Sequence, residues 1–347
     1  MVKNRKIDFD VLRSIVILSA FILHYNGNIQ IGLLSSPSHF VQTRIFSVGG
    51  FFFFTAGYMA YKIYLPKFIE NPNGVSWKLL KKGVMIIVIY LSYVLFMHIF
   101  TGTIIPENAT SFILKHRFYT KVLFTFSILF IITPLILKAV STHPRITFYL
   151  FLLTTGIVIF YNGQWEIPIK YKRIFLDRKL FLYPILPSLV VYFFGFGAAL
   201  FERKWKLNFS SRKLIIISIS ILVVHSALCK FSYTYFKIIG NKQHFVIIES
   251  ITPFLAIIII NYLLEHDAIR RFLSSEKILC IGVYSLHFYV ISNLILGLLQ
   301  IPNDSSQIFK LLGLFGTGTL AYIFTYWRFG NSLLSSSNQQ TFSKSMH

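Results

Sequence analysis

Apolar runs about the length of a bilayer span recur from one end of this chain to the other, and that repetition limits it to very few folds. They fall at roughly 9–27, 44–65, 79–100, 118–139, 144–161, 180–201, 213–230, 245–264, 277–299 and 307–328, about ten in all. A run of about 20 apolar residues is what a helix needs to cross the hydrocarbon of a membrane. No water in that layer satisfies backbone groups, so only helices or closed barrels span it. No run alternates as a barrel strand does, so the expectation is an all-α, polytopic membrane helix bundle. Composition agrees, with 55% hydrophobic and only 13% charged residues and a mean hydropathy of +0.64. Residues 1–330 are expected to form one integral membrane domain. The stretch 331–347, rich in Ser, Asn and Gln, is expected to be a disordered cytoplasmic tail. The first run carries Arg13 and lacks a small-residue cleavage site after Tyr25, so it is expected to remain in the mature protein.

Lys and Arg set the expected orientation. Lys3, Arg5 and Lys6, then Lys62, Lys67, Lys78, Lys81 and Lys82, and later Arg203, Lys204, Lys206, Arg270, Arg271 and Arg328 fall on one side if the N-terminus is cytoplasmic. The positive-inside bias therefore favours both termini in the cytoplasm. The loop with Lys170, Lys172, Arg173, Arg178 and Lys179 runs against it. The net charge of +22 would suggest nucleic acid in a soluble chain. Here the cations are scattered over both faces of a bundle with no nucleic-acid motif, so membrane lipids and anionic substrates are the expected partners. Cys229 and Cys280 are expected too far apart to pair, no Cys/His cluster has metal-ligand spacing, and no metal is expected. Oligomeric state is left open.

Arg13 and His24 lie eleven positions apart in the first run. At about 100° and 1.5 Å per residue, eleven steps return to within roughly 20° and climb about 16 Å. Asp10, Ile17 and Ala20 fall on the same stripe. Ionisable groups at membrane depth are costly and face a bundle interior or a cavity, which makes Asp10, Arg13 and His24 candidates. The plainer alternative is an Asp10–Arg13 ion pair at the cytoplasmic end, with His24 capping the outer end.

Several patterns together resemble the membrane acyltransferase-3 family. Ile7-Asp8-Phe9-Asp10-Val11-Leu12-Arg13 followed by His24 is similar to its opening Asp-x-x-Arg and Arg-x10-His. The segment from Gly49 to Tyr58, Trp77-Lys78-Leu79-Leu80-Lys81-Lys82, Tyr192 to Gly197, and Gly282-Val283-Tyr284-Ser285-Leu286-His287-Phe288 resemble later family segments, in family order. Three positions depart from the pattern: Gly50 replaces a usual carboxylate, Ala56 a usual Ser, and Lys78 and Lys81 a pair of arginines.

The resemblance implies an O-acyltransferase of the cell (inner) membrane. It would move an acyl group, in most of the family acetyl, from cytoplasmic acyl-CoA to a hydroxyl of a surface polysaccharide or lipid-linked glycan of the cell envelope. Acyl-CoA, with acetyl-CoA the first choice, is then the donor substrate, and a glycan such as a lipopolysaccharide the acceptor. His24, with Arg13 and Asp10, is the expected catalytic group, since a hydroxyl nucleophile needs a base working near neutral pH. Lys78, Lys81, Lys82 and Arg13 are the candidates for coenzyme A phosphates, although Lys lacks the bidentate fork of Arg. Glu249, Tyr284, His287 and Trp165 are candidates for the acceptor side. Glu249 either orients His24 or is an interfacial carboxylate; Tyr284 and His287 either line the pocket or pair between helices; Trp165 either stacks on sugar or belongs to an aromatic belt. A non-catalytic polysaccharide-export protein and a secondary transporter are the alternatives.

Overall fold

The computed structural model describes residues 7–29, 31, 48–102, 121–161, 165–176, 183–205, 213–221, 223, 244–273, 275–299 and 305–344. Among them no strand occurs. The helices, in chain order, begin with α1 (Ile7–Ile29), α2 (Val48–Met59), α3 (Leu65–Glu70) and α4 (Pro72–Phe100). A π-helical turn, Ala60–Tyr64, joins α2 to α3. Then come α5 (Lys121–Thr142), α6 (Pro144–Phe160), α7 (Ile169–Phe175) and α8 (Ile185–Trp205). A helix over 213–221 is α9. The remainder are α10 (His244–Leu263), α11 (Asp267–Leu273), α12 (Glu276–Val283), α13 (Ser285–Leu298) and α14 (Gln307–Lys344).

The chain separates into two compact units, Met1–Ser38 with Ile257–His347, and His39–Ala256. In the first unit α1 packs on α12, α13 and α14. Its inward face buries Phe9, Leu12, Ile17, Ala20 and Tyr25, while Ile15, Leu18 and Ile22 stay exposed. A helix apolar on both its packed and its open face suits a lipid surrounding. Gly282 is where α1 and α12 come closest: a Cβ there would lie 1.8 Å from the Asp10 carbonyl oxygen. Ser14 links the same two helices, its hydroxyl lying 2.9 Å from the Ile278 carbonyl. Small residues at such crossings let membrane helices approach by backbone contact.

The second unit uses the same device twice on one helix pair. A Cβ at Gly57 of α2 would lie 1.8 Å from the Tyr192 carbonyl oxygen of α8, and one at Gly195 of α8 would lie 1.9 Å from the Phe54 carbonyl oxygen of α2. Helix α4 starts on an Asn71 cap, whose side chain accepts from the Gly74 N–H, with Pro72 opening the helix. It then packs along α5.

Among the described residues, five helices are long and apolar enough to cross a membrane: the segments Phe9–Asn26, Pro72–Phe100, Lys121–Thr142, Ile185–Lys204 and Gln307–Arg328. Two bent pairs, Ser250–Leu263 with Asp267–Leu273 at 116° and Glu276–Val283 with Ser285–Leu298 at 83°, raise that to seven if each is one span. The other three apolar runs fall on α2 with its π-helical turn, on α6 and on α9. The first is interrupted by that π-helical turn and α6 is a shorter apolar helix, while the run on α9 extends past the described residues. Helix α14 runs on to Lys344. No Pro or Gly lies between Asn331 and Lys344, so nothing in that stretch breaks the backbone ladder.

Candidate functional site

The stripe on α1 faces the interior of the first unit. At its start, Asp10 is buried and pairs with Arg13 across one turn, Nη1 to Oδ1 at 3.6 Å, with side-chain exposures of 7% and 30%. The plainer expectation of an ion pair is thus present in the geometry. Arg13 is tied to a carboxylate that sits beside the Gly282 contact, so charge and close packing meet at one end of α1.

About three turns along, His24 meets α13. Its Nδ1 lies 2.8 Å from Oδ1 of Asn293, and its ring stands edge-on to Tyr289 with centroids 5.6 Å apart. Asn293 is buried, and its Nδ2 donates to the Tyr289 carbonyl at 2.7 Å. The neighbouring Tyr25 donates to the Lys310 carbonyl on α14 at 2.8 Å, and Lys310 is itself buried. Nothing in the resemblance pointed to Asn293, Tyr289 or Lys310. The available signal was a polar side chain within an apolar run, a pattern shared by many residues with purely local partners.

Tyr284 forms the break between α12 and α13, with φ −107° and ψ 35°. His287 lies in the first turn of α13, and its Nδ1 is buried with no hydrogen-bond partner among the described residues. The pair Tyr284 and His287 thus belongs with Asp10, Arg13 and His24 in the first unit.

Lys78, Lys81, Lys82 and Trp165 belong to the second unit. Lys78 and Lys81 are exposed near the start of α4, and Lys82 sets its ammonium 4.7 Å from the centre of the Phe130 ring. Trp165 is 38% exposed and stands edge-on to Tyr161 at 5.5 Å. The expected donor group of Lys78, Lys81, Lys82 and Arg13 is therefore divided between the units. Glu249 falls on α10, with its side chain outside the described residues. Cys229 also lies outside them, and Cys280 is buried as a free thiol.

Sequence reasoning missed a polar cluster at the π-helical turn. Tyr58 and Lys62 both bond the carboxylate of Glu202 on α8, and Lys62 also donates to the Tyr58 hydroxyl at 2.8 Å. A π-turn shifts the register of the helix, and Lys62 lies within that turn. Nearby, Ala56, Ala60, Tyr64, Thr133 and Tyr192 line a cavity of about 10 Å³, room for a single water. No His/Cys/Asp/Glu group able to hold a metal occurs among the described residues. Compared with family models and with curated proteins, the chain matches none.

Proposed function

We propose that this chain is a membrane O-acyltransferase that transfers an acyl group, acetyl in the first instance, from acyl-CoA to a hydroxyl of a glycan or lipid-linked glycan. The observation that carries the reading is His24. A part-buried imidazole in the outer half of an apolar helix stands edge-on to Tyr289 and is hydrogen-bonded by Asn293, on the same stripe as the Asp10–Arg13 pair. Burying polar groups in lipid is costly, so an arrangement that keeps them there is a functional candidate. The order of motifs from Asp10 to His287 supplies the reaction.

In that reaction the acceptor hydroxyl oxygen attacks the thioester carbonyl. His24 takes the hydroxyl proton as the C–O bond forms. The C–S bond then breaks, and the proton passes to the departing coenzyme A thiolate. Arg13 is proposed to face the donor, and Lys78, Lys81 and Lys82 to hold its phosphates as point charges. The rise of about 16 Å from Arg13 to His24 is comparable to an extended pantetheine arm. Glu249, Tyr284, His287 and Trp165 remain the proposed acceptor residues. The finer topology belongs to the same reading: ten spans, both termini cytoplasmic, in the cell inner membrane.

The test is His24→Ala. Removing a general base lowers the rate by about 10²–10⁴-fold, so ester content on the glycan is expected to vanish with folded protein retained. Wild-type ester content in that variant would sink the assignment. A secondary transporter is the second reading. It is favoured by the two bent helix pairs, because broken helices at membrane depth line transport sites. A His24→Ala protein that loses solute uptake while esterification continues would select it.

A further inference from the structure

We propose that Asn293 is the positioning residue for His24, locking its imidazole in the tautomer with hydrogen on Nδ1 so that Nε2 carries the lone pair. The inference rests on the reading of His24 as the base, and its geometry is independent of which substrate is used.

The argument runs through what each end of an amide is able to do. Asn presents a carbonyl that only accepts and an amine that only donates. Which end is which is assigned from the hydrogen-bond network, and here a backbone atom decides it. The Tyr289 carbonyl, 2.7 Å from one end, is itself only an acceptor, so that end is the Nδ2 amine. The other end, 2.8 Å from His24 Nδ1, is therefore Oδ1. A carbonyl oxygen forces its partner to donate, so Nδ1 carries the hydrogen. A neutral imidazole has one N–H, and its second nitrogen is then the acceptor.

The support is rigid. Asn293 is 3% exposed and Tyr289 also 3% exposed, and they sit one turn apart on α13, the same turn that the Nδ2 bond closes. The Tyr289 ring flanks the imidazole at 66°, so a single helical turn supplies both the acceptor and the wall. Reversing the amide would set its carbonyl against the Tyr289 carbonyl and its amine against Nδ1, losing the first bond outright.

The experiment uses the full chain in lipid nanodiscs with ¹⁵N-labelled histidine, the His24 signals assigned by difference against His24→Gln. Long-range proton–nitrogen correlations report which ring nitrogen is protonated. The expected result is the Nδ1–H form in the wild type, and a shift toward Nε2–H or a mixture in Asn293→Leu, which removes the acceptor at similar volume. Asn293→Asp, which keeps an oxygen toward Nδ1, should restore the wild-type form. Kinetically, Asn293→Leu should lower kcat about 10–100-fold, the scale on which groups that orient an imidazole act, with KM for acyl-CoA unchanged and Asn293→Asp recovering most of it. An Nε2–H wild type overturns the proposal, as does a folded Asn293→Leu protein whose tautomer is unchanged. Should acyl transfer survive His24→Ala, the acyltransferase reading fails instead, and the nitrogen spectra still decide the tautomer.

Discussion

Asp10 and Arg13 illustrate why single substitutions at membrane depth mislead. Asp10 is buried and its partner is one turn away at 3.6 Å. Removing only Arg13 takes an ion-pair partner from a buried carboxylate, which destabilises, though by less than the loss of a fully buried pair because Arg13 is 30% exposed. Arg13→Leu is therefore expected to lower the amount of folded protein as well as activity. Replacing both residues, Asp10→Leu with Arg13→Leu, removes the carboxylate together with its partner, and buried pairs are often exchanged for apolar residues without loss. Abundance measured by fluorescence-detected size exclusion should recover in the double variant while acyl transfer stays absent. If activity returns with abundance, the pair is structural and Arg13 leaves the catalytic list. Residue by residue, the pairing was readable from the i,i+3 spacing. The hold of Asn293 on His24 was not, because those two residues are 269 positions apart in sequence.

Elements meet in this molecule through glycine, and the glycines in question are those of the motifs. Gly282, Gly57 and Gly195 each have a carbonyl oxygen of a neighbouring helix within 2 Å of where a Cβ would stand. No side-chain adjustment relieves a clash with backbone, so the helices must part. Gly282→Ala is expected to cost at least about 1–3 kcal/mol, the usual scale of overpacking. Gly57→Ala and Gly195→Ala should do the same to α2 and α8. Gly316→Ala, with nothing within 4 Å, is the matched control on α14 and should be neutral or up to about 1 kcal/mol stabilising. Thermal unfolding in detergent checks the set, and equal midpoints for Gly282→Ala and Gly316→Ala would refute the close approach. These contacts also give the motif glycines a packing role of their own, so that His24 and the polar stripe, more than the glycines, carry the chemical reading.

Two predictions belong to the whole molecule. The first concerns topology. Reporter fusions after Ser36 and after Asn162, both outside the described residues, should read as extracytoplasmic if the N-terminus is inside and the apolar runs cross in turn. A cytoplasmic signal at either site would overturn the ten-span arrangement. The second concerns the donor. Lys78 and Lys81 are one turn apart and exposed on α4, placed to flank a diphosphate. Lys78→Gln with Lys81→Gln should raise KM for acyl-CoA severalfold and leave acceptor affinity unchanged. Normal acyl-CoA binding by the folded double variant would mark these lysines as topology signals only.

Hydropathy and helical period were enough to read the all-helical character, the membrane setting and the inward stripe of α1. Each depends on residues near in sequence, whose transfer into lipid or turn around a helix follows from local rules. The span count was less legible. The π-helical turn at Ala60–Tyr64 and the 83° bend at Tyr284 interrupt apolar runs, and an averaged window passes over both. The partners of the chemistry were decided by folding alone. Asn293 against His24, Glu202 against Lys62 and the Asp10 carbonyl against Gly282 are each joined over more than a hundred residues of chain. A buried polar group takes whichever complementary group the packed helices bring within reach, and only the packing of the helices determines which one that is.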